Sequence, residues 1–309
     1  MQTHRATAPW KRWLSVKAYG LVTRLYGVDT PPQTARRRFE RFATVTRESM
    51  KAKYPNVSFS DHQAGELWIE ALRTSPSPRR VVLYLHGGGF LFGSPATYRS
   101  RARRIAFRCD AEVYVPDYRL APEHPFPAAL EDALAAWAYV AALRPEAPIV
   151  VVGDSAGGGL TLSLLAALRD RGVALPACAF VFSPWTDLGG TGASMIENEG
   201  KDVWMTRRHI AAWSRYYAGK SDVADPAISP VHADPTGFPP LLLIVGDQEV
   251  MLDDALRVEV RARQAGVEVE VLVGRGMQHD FPLTLPWLQE SREAWEVAAA
   301  FVERCASTG

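Results

Sequence analysis

Gly153-Asp154-Ser155-Ala156-Gly157 is the stretch best suited to do chemistry. A serine hydroxyl is a weak nucleophile, and it needs a base beside it and an exposed, fixed position to attack a carbonyl. Flanking glycines permit a sharp, strained turn in which only small neighbours fit. The apolar run Ile149-Val150-Val151-Val152 precedes this pentapeptide, and Gly158-Gly159-Leu160-Thr161-Leu162-Ser163-Leu164-Leu165 follows it. The turn therefore joins a strand to a helix, the context that makes a Gly-x-Ser-x-Gly pattern meaningful. Ser155 Oγ would stand above the sheet, and the helix N-terminus beneath it favours developing negative charge.

A second motif, His86-Gly87-Gly88-Gly89-Phe90, follows the apolar run Val81-Val82-Leu83-Tyr84-Leu85. Consecutive glycines let a backbone approach a ligand and turn its N–H groups inward. Together with the N–H of Ala156 they would form an oxyanion hole. A phosphate loop is disfavoured, because no Gly-Lys-Ser/Thr follows.

Such chemistry needs a base and an orienting acid. Of the seven histidines, at 4, 62, 86, 124, 209, 232 and 279, only His279 sits between a last strand and a final helix. The chain order serine, acid, histidine places the base there. Acid candidates follow the run 241–245: Asp247, Glu249 and Asp253. Asp247 directly after Gly246 suits a turn, Asp253 suits the start of a helix, and Glu249 lies in the loop between them.

These groups must be positioned by alternating strands and helices. Strands are expected at 57–60 and 66–72 (about a Gly65 turn), 81–85, 112–116, 149–152, 177–183, 241–245 and 267–273. Helices are expected at 98–109, 126–143 and 157–171. That alternation predicts an α/β chain with a doubly wound, mostly parallel sheet. Ahead of it, residues 10–28 could form a broad-faced amphipathic helix that covers part of the protein, with contact to a membrane the less favoured reading, and Pro31-Pro32 ends it. A second helix is expected over 33–53, with Arg36, Arg37, Arg38 and Arg41 forming a solvated face.

With 309 residues, the chain can build one large domain with an appendage. Thirty-five basic against 34 acidic residues give no reason to expect nucleic acid. The three cysteines, Cys109, Cys178 and Cys305, are scattered, which fits a reducing, cytoplasmic setting without disulfides or a zinc site. No apolar run approaches about 18 residues, so stable membrane insertion is not expected. Met1 to Trp13 lacks the pattern of a signal peptide.

Further motifs give these expectations a family. The chain resembles the hormone-sensitive-lipase-like (bacterial family IV) branch of the α/β-hydrolase superfamily. The likeness rests on the two glycine motifs, the long run from Asp117 to Ala129, Ser183-Pro184-Trp185, Pro239-Pro240 and His279-Asp280-Phe281. It spans residues from about 80 to 302. The resemblance implies a serine carboxylesterase acting on short- to medium-chain acyl esters through an acyl-enzyme. It needs no cofactor or metal, and its partner is a small-molecule ester. A lactone or amide hydrolase on the same residues is the alternative, and a silent ligand-binding protein is less favoured because it needs no complete triad. A homodimer is compatible with this reading.

By resemblance Gly88 and Gly89 supply oxyanion N–H groups with Ala156, while His86 braces their loop. The 117–129 run, with Asp117, Arg119, Glu123 and His124, becomes scaffold. The family's acid loop ends in Asp; aligning Asp253 with that residue puts Glu249 at the catalytic place, where Asp is usual, and keeps Asp247 as a competitor. The triad expected is thus Ser155, Glu249 and His279. A helical cap is expected from residues 1–50 and 186–225, with the catalytic domain spanning 51–309. Trp185, Trp204, Trp213 and Trp287 either line a substrate pocket or pack between cap and core.

Overall fold

The computed structural model describes residues 10, 14–17 and 30–307. Most of the helix expected over 10–28, together with His4, lies outside the described residues. Two strands, β1 (Ser58–Ala64) and β2 (Leu67–Arg73), form an antiparallel hairpin through the turn at Gly65. They are followed by β3 (Arg80–Leu85), β4 (Ala111–Pro116), β5 (Ile149–Asp154), β6 (Cys178–Phe182), β7 (Leu241–Gly246) and β8 (Val269–Gly274). All eight join one sheet in the order β1-β2-β4-β3-β5-β6-β7-β8, and every pairing from β4 to β8 is parallel. Strands β3, β4, β5, β6 and β7 are buried along their whole length, which is why they read as unbroken apolar runs.

Helices fill the crossovers. They are α1 (Pro32–Ala43), α2 (Arg47–Lys53), α3 (Pro95–Cys109), α4 (Ala128–Leu143) and α5 (Ala156–Asp170), then α6 (Ser194–Glu197), α7 (Arg207–Ala218), α8 (Leu252–Gln264), α9 (Phe281–Thr284) and α10 (Gln289–Cys305). Helix α3 packs against α10, and α4 against α5, giving the doubly wound arrangement. No helix among the described residues is long and apolar enough to cross a membrane.

The single helix expected over 33–53 is in fact two. The chain leaves α1 at Thr44, and Thr46 caps α2 by accepting the N–H of Ser49. Between them, Val45 is tied to α3: its N–H donates to the Ala96 carbonyl at 3.1 Å, and its own carbonyl accepts from Arg99 at 2.6 Å. Long-range bonds to α3 thus outcompete the local helix at these β-branched residues.

The expected solvated arginine face also needs correction. Arg37, Arg38 and Arg41 are exposed, but Arg36 is half-buried. It donates to the carbonyls of Leu91 and Ala121, both at 2.9 Å, and pairs with Glu123 at 2.8 Å. Arg36 thereby ties α1 to the loop after the glycine run and to the 117–129 segment. In that segment, Arg119 grips Asp132 on α4.

Candidate active site

The turn after β5 determines the position of Ser155. Its backbone sits at φ 52°, ψ −121°, a region that L-residues rarely occupy. Two close approaches explain why glycines flank it. A Cβ on Gly153 would lie 2.2 Å from the Gly157 carbonyl oxygen, and one on Gly157 would lie 2.0 Å from the Leu85 oxygen. The N–H of Ser155 donates to Phe182 and its carbonyl accepts from Trp185, both at 2.9 Å, so neighbouring β6 holds the turn open.

His279 lies in the turn between β8 and α9 and is 2 % exposed. Its Nε2 is 3.0 Å from Ser155 Oγ, and its Nδ1 is 2.9 Å from Glu249 Oε2. Glu249 is fully buried in the loop after β7. Its other oxygen, Oε1, accepts from the Gly246 N–H at 2.5 Å and the Ser183 hydroxyl at 2.7 Å. With Oε1 held twice, Oε2 is aimed at the imidazole and nothing else. Asn198 steadies the loop itself, donating to the carbonyls of Asp247 and Glu249.

The other two acid candidates point elsewhere. Asp247 Oδ1 accepts from the Gly276 N–H at 2.7 Å, stabilising the turn that leads to His279. Asp253 lies in the first turn of α8, and its Oδ2 accepts from the Ser194 N–H at 2.9 Å. Neither is hydrogen-bonded to the imidazole.

His279 carries an electrostatic load. Burial works against its charged form, but Asp280, Glu249 and Asp202 together outweigh that penalty and push the imidazole up to about 10. Asp202 is buried just ahead of α7 and accepts the N–H groups of Trp204, Met205 and Val250. Trp204 stands edge-on to the imidazole, 5.6 Å between centroids.

The glycine run after β3 bends beside this cluster. The N–H of Gly87 donates to Asp154 Oδ1 at 3.0 Å, and the Tyr84 hydroxyl donates to the same oxygen at 2.6 Å. His86 stacks on Tyr118, 4.3 Å away, and its Nδ1–H donates to the Gly87 carbonyl. Burial holds His86 down to about 4, so it is neutral, a brace and not a base. Gly88 (φ 116°) and Gly89 (φ 60°) take backbone conformations that only glycine adopts freely. Among the described residues, the N–H groups of Gly88, Gly89 and Ala156 donate to no protein oxygen.

Two of the tryptophans fall on this loop, Trp213 and Trp185, the second with its ring 6.1 Å from that of Phe90. Trp213 of α7 presses its ring on Gly89, where a Cβ would lie 2.4 Å from Cε3. Tyr217, one turn on, stacks on Phe90 at 3.6 Å. Trp185 is buried, donating to the Asp187 carbonyl, and Trp287 is exposed. The remaining histidines stand apart from Ser155. His62 bonds Tyr139, His209 bonds Thr206, His124 is exposed, and His232 sits in a short 3-10 turn. Among the described residues, no group of three or more His, Cys, Asp or Glu side chains is arranged to hold a metal ion.

Sequence reasoning did not assign roles to Ser183, Asp202 or Asp280, although Ser183 and Asp280 belong to motifs it marked. Ser183 is central. Its hydroxyl donates to Glu249 and accepts from the Asp280 N–H at 2.9 Å, tying the acid loop to the base loop. No local pattern gives that away, because the three residues meet only when β6, β7 and β8 lie side by side.

The chain is similar to known hydrolases. The α/β-hydrolase fold family matches residues 82–283. An acetyl-hydrolase of Streptomyces hygroscopicus is 38% identical over 246 residues, covering 79% of this chain and 82% of that protein. Among solved structures, an esterase soaked with p-nitrophenyl butyrate superposes with a TM-score of 0.86 at 31% identity, over 98% of this chain and 100% of that one. An esterase of the bacterial hormone-sensitive lipase family gives 0.84 at 32% identity, with the same coverage. The chain belongs to the α/β-hydrolase fold family, in its bacterial hormone-sensitive-lipase branch, and is a carboxylic-ester hydrolase.

Proposed function

We propose that Ser155, His279 and Glu249 are the catalytic triad, that the N–H groups of Gly88, Gly89 and Ala156 form the oxyanion hole, and that the substrate carries a short- to medium-chain acyl group. The unbroken path Ser155 Oγ to His279 to Glu249 Oε2, at 3.0 and 2.9 Å, carries this reading. Ser155 Oγ attacks the ester carbonyl while His279 Nε2 takes its proton. Charge then develops on the carbonyl oxygen, which these three backbone N–H groups, without a protein acceptor among the described residues, would stabilise. His279 returns the proton to the leaving alkoxide, giving an acyl-enzyme that water resolves by the same path in reverse. Glu249 fixes the tautomer, since Nδ1–H must donate to it for Nε2 to accept from serine.

We assign residues 30–50 and 186–225 to a cap over this centre, in line with Trp213 on Gly89 and Arg36 on the Leu91 carbonyl. A ring seated on the oxyanion loop leaves little room beside it, which favours small acyl groups. The relative named an acetyl-hydrolase is consistent with that preference. The free cysteines at 109, 178 and 305 fit a cytoplasmic enzyme. An organophosphate tests the assignment: one adduct on Ser155 is expected, and an adduct on Ser163 or Ser183 would overturn it.

A further inference from the structure

Some buried carboxylates in this chain are saturated with donors. Asp187 accepts from the N–H groups of Gly189 and Thr191, the Thr191 hydroxyl and the Arg257 guanidinium. Asp202 accepts three backbone N–H groups. Such groups hold the fold together, and their charge is matched locally.

Asp280 is different. It is 2 % exposed, yet among the described residues its Oδ1 has no hydrogen-bond partner. Its Oδ2 faces His279 Nε2 at 3.5 Å, the nitrogen that also meets Ser155 Oγ. The left-handed backbone at Asp280 (φ 53°) and the bond from its N–H to Ser183 fix it there. Carboxyl oxygens elsewhere around it offer no donor. Glu249 faces it from the β7–α8 loop, and Asp202, from the segment before α7, faces the imidazole. Asp154, at the end of β5, has its own unpartnered Oδ2. From β3 and α3 come Tyr84 and Tyr98, with the Arg101 guanidinium 4.2 Å over the Tyr98 ring as the nearby cation. Among the described residues the imidazolium is the cation that Asp280 touches, with Arg101 acting on it from farther off.

We propose that Asp280 is a positioning residue for the proton on His279: its carboxylate competes with Ser155 for Nε2–H and so sets how alkaline the solution must be before the imidazole acts as base. This rests on the reading of His279 as the general base. A carboxylate at this distance favours the charged imidazole, and so does the direction in which His279 is pushed. The active, neutral base is then populated only at higher pH than an unperturbed imidazole would need. Burial pushes Asp280 itself well up, so the pair titrates together and not as two independent groups.

The test is kcat/KM for p-nitrophenyl acetate from pH 5 to 10, in the wild type, Asp280→Asn and Ser155→Ala. The acid limb of the wild type should lie above the ordinary imidazole range, and Asp280→Asn should move it down by about one unit or more. A limb that stays in place, with kcat lowered at every pH, would mark Asp280 as structural and overturn the proposal. Failure of the underlying hydrolase reading looks different: the wild type would not turn over, or Ser155→Ala would remain active. Should Asp280→Asn not fold, nitrogen-15 NMR of the wild type decides. The imidazole signal lost on phosphonylation of Ser155 should report a protonated Nε2 at pH 7, and a neutral ring there would refute the idea.

Discussion

The loops at the strand ends and the segments assigned to the cap are built by different rules. Ser155, Glu249 and His279 each sit within a few residues of the C-terminal end of β5, β7 or β8. Backbone bonds hold these loops: the Ser155 N–H on the Phe182 carbonyl, the Gly246 N–H on Glu249, and the Gly276 N–H on Asp247 in the turn that leads to His279. On the other side, α1 and α7 reach the site through side chains, Arg36 on two carbonyls and Trp213 on Gly89. The strand-end loops are therefore over-determined, and the cap can be retuned residue by residue. Chemistry should be brittle on one side and selectivity adjustable on the other.

The hardest blow to that contrast is at the nucleophile. Ser155→Ala should cost about ten-thousand-fold or more in kcat on p-nitrophenyl acetate, with the fold intact by circular dichroism. Retained turnover would dissolve the strand-end side of the comparison.

Next comes the acid. Glu249→Gln should lower kcat by roughly a hundred- to ten-thousand-fold, because an amide cannot anchor the same tautomer and charge. Asp247→Asn should cost less than about tenfold, since its role is a turn bond to Gly276. The reverse order in steady-state kinetics would exchange the two assignments.

The cap side should answer in selectivity. Trp213→Ala clears the ring from Gly89, so the rate on p-nitrophenyl hexanoate should rise relative to acetate by several-fold, about the value of one to two methylenes. An unchanged ratio across the ester series would show that α7 does not shape the acyl site.

The smallest effect concerns stability. Burial raises the Asp254 carboxyl to about 8, although its Oδ2 accepts the N–H groups of Thr186 and Asp187. A raised carboxyl favours the protonated folded chain, so its contribution is complete below about pH 4 and is lost as pH rises toward 8. Asp254→Asn keeps an acceptor and removes the buried charge. It should gain roughly 1–2 kcal/mol over wild type at pH 9 in urea unfolding, with the gain vanishing near pH 4. Equal loss of stability at every pH would show that the charge is needed.

The strand runs, the two glycine motifs and the place of His279 were legible because each is a local pattern. Buried parallel strands need continuous apolar residues, and a strand-to-helix turn this tight needs glycine at both flanks. Element ends drifted by a few residues: the helix expected at Tyr98 begins at Pro95, behind a Ser94–Thr97 capping box. The break at 44–46 was not legible, since its cause is Ala96 and Arg99 on another helix.

The sequence by itself determined a doubly wound sheet with a serine on a strained turn, a candidate base after the last strand and three candidate acids in one loop. It could not rank those acids without the family likeness, because Asp247, Glu249 and Asp253 all lie in one short run. Tertiary structure separated them by direction: Gly246 and Ser183 turn Glu249 toward His279, while Gly276 and Ser194 draw its competitors away. It also brought Ser183 and Asp280 together and seated Trp213 on Gly89. Contacts between residues far apart in the chain leave no period or spacing behind, so only the folded sheet, by setting its strand ends side by side, could decide them.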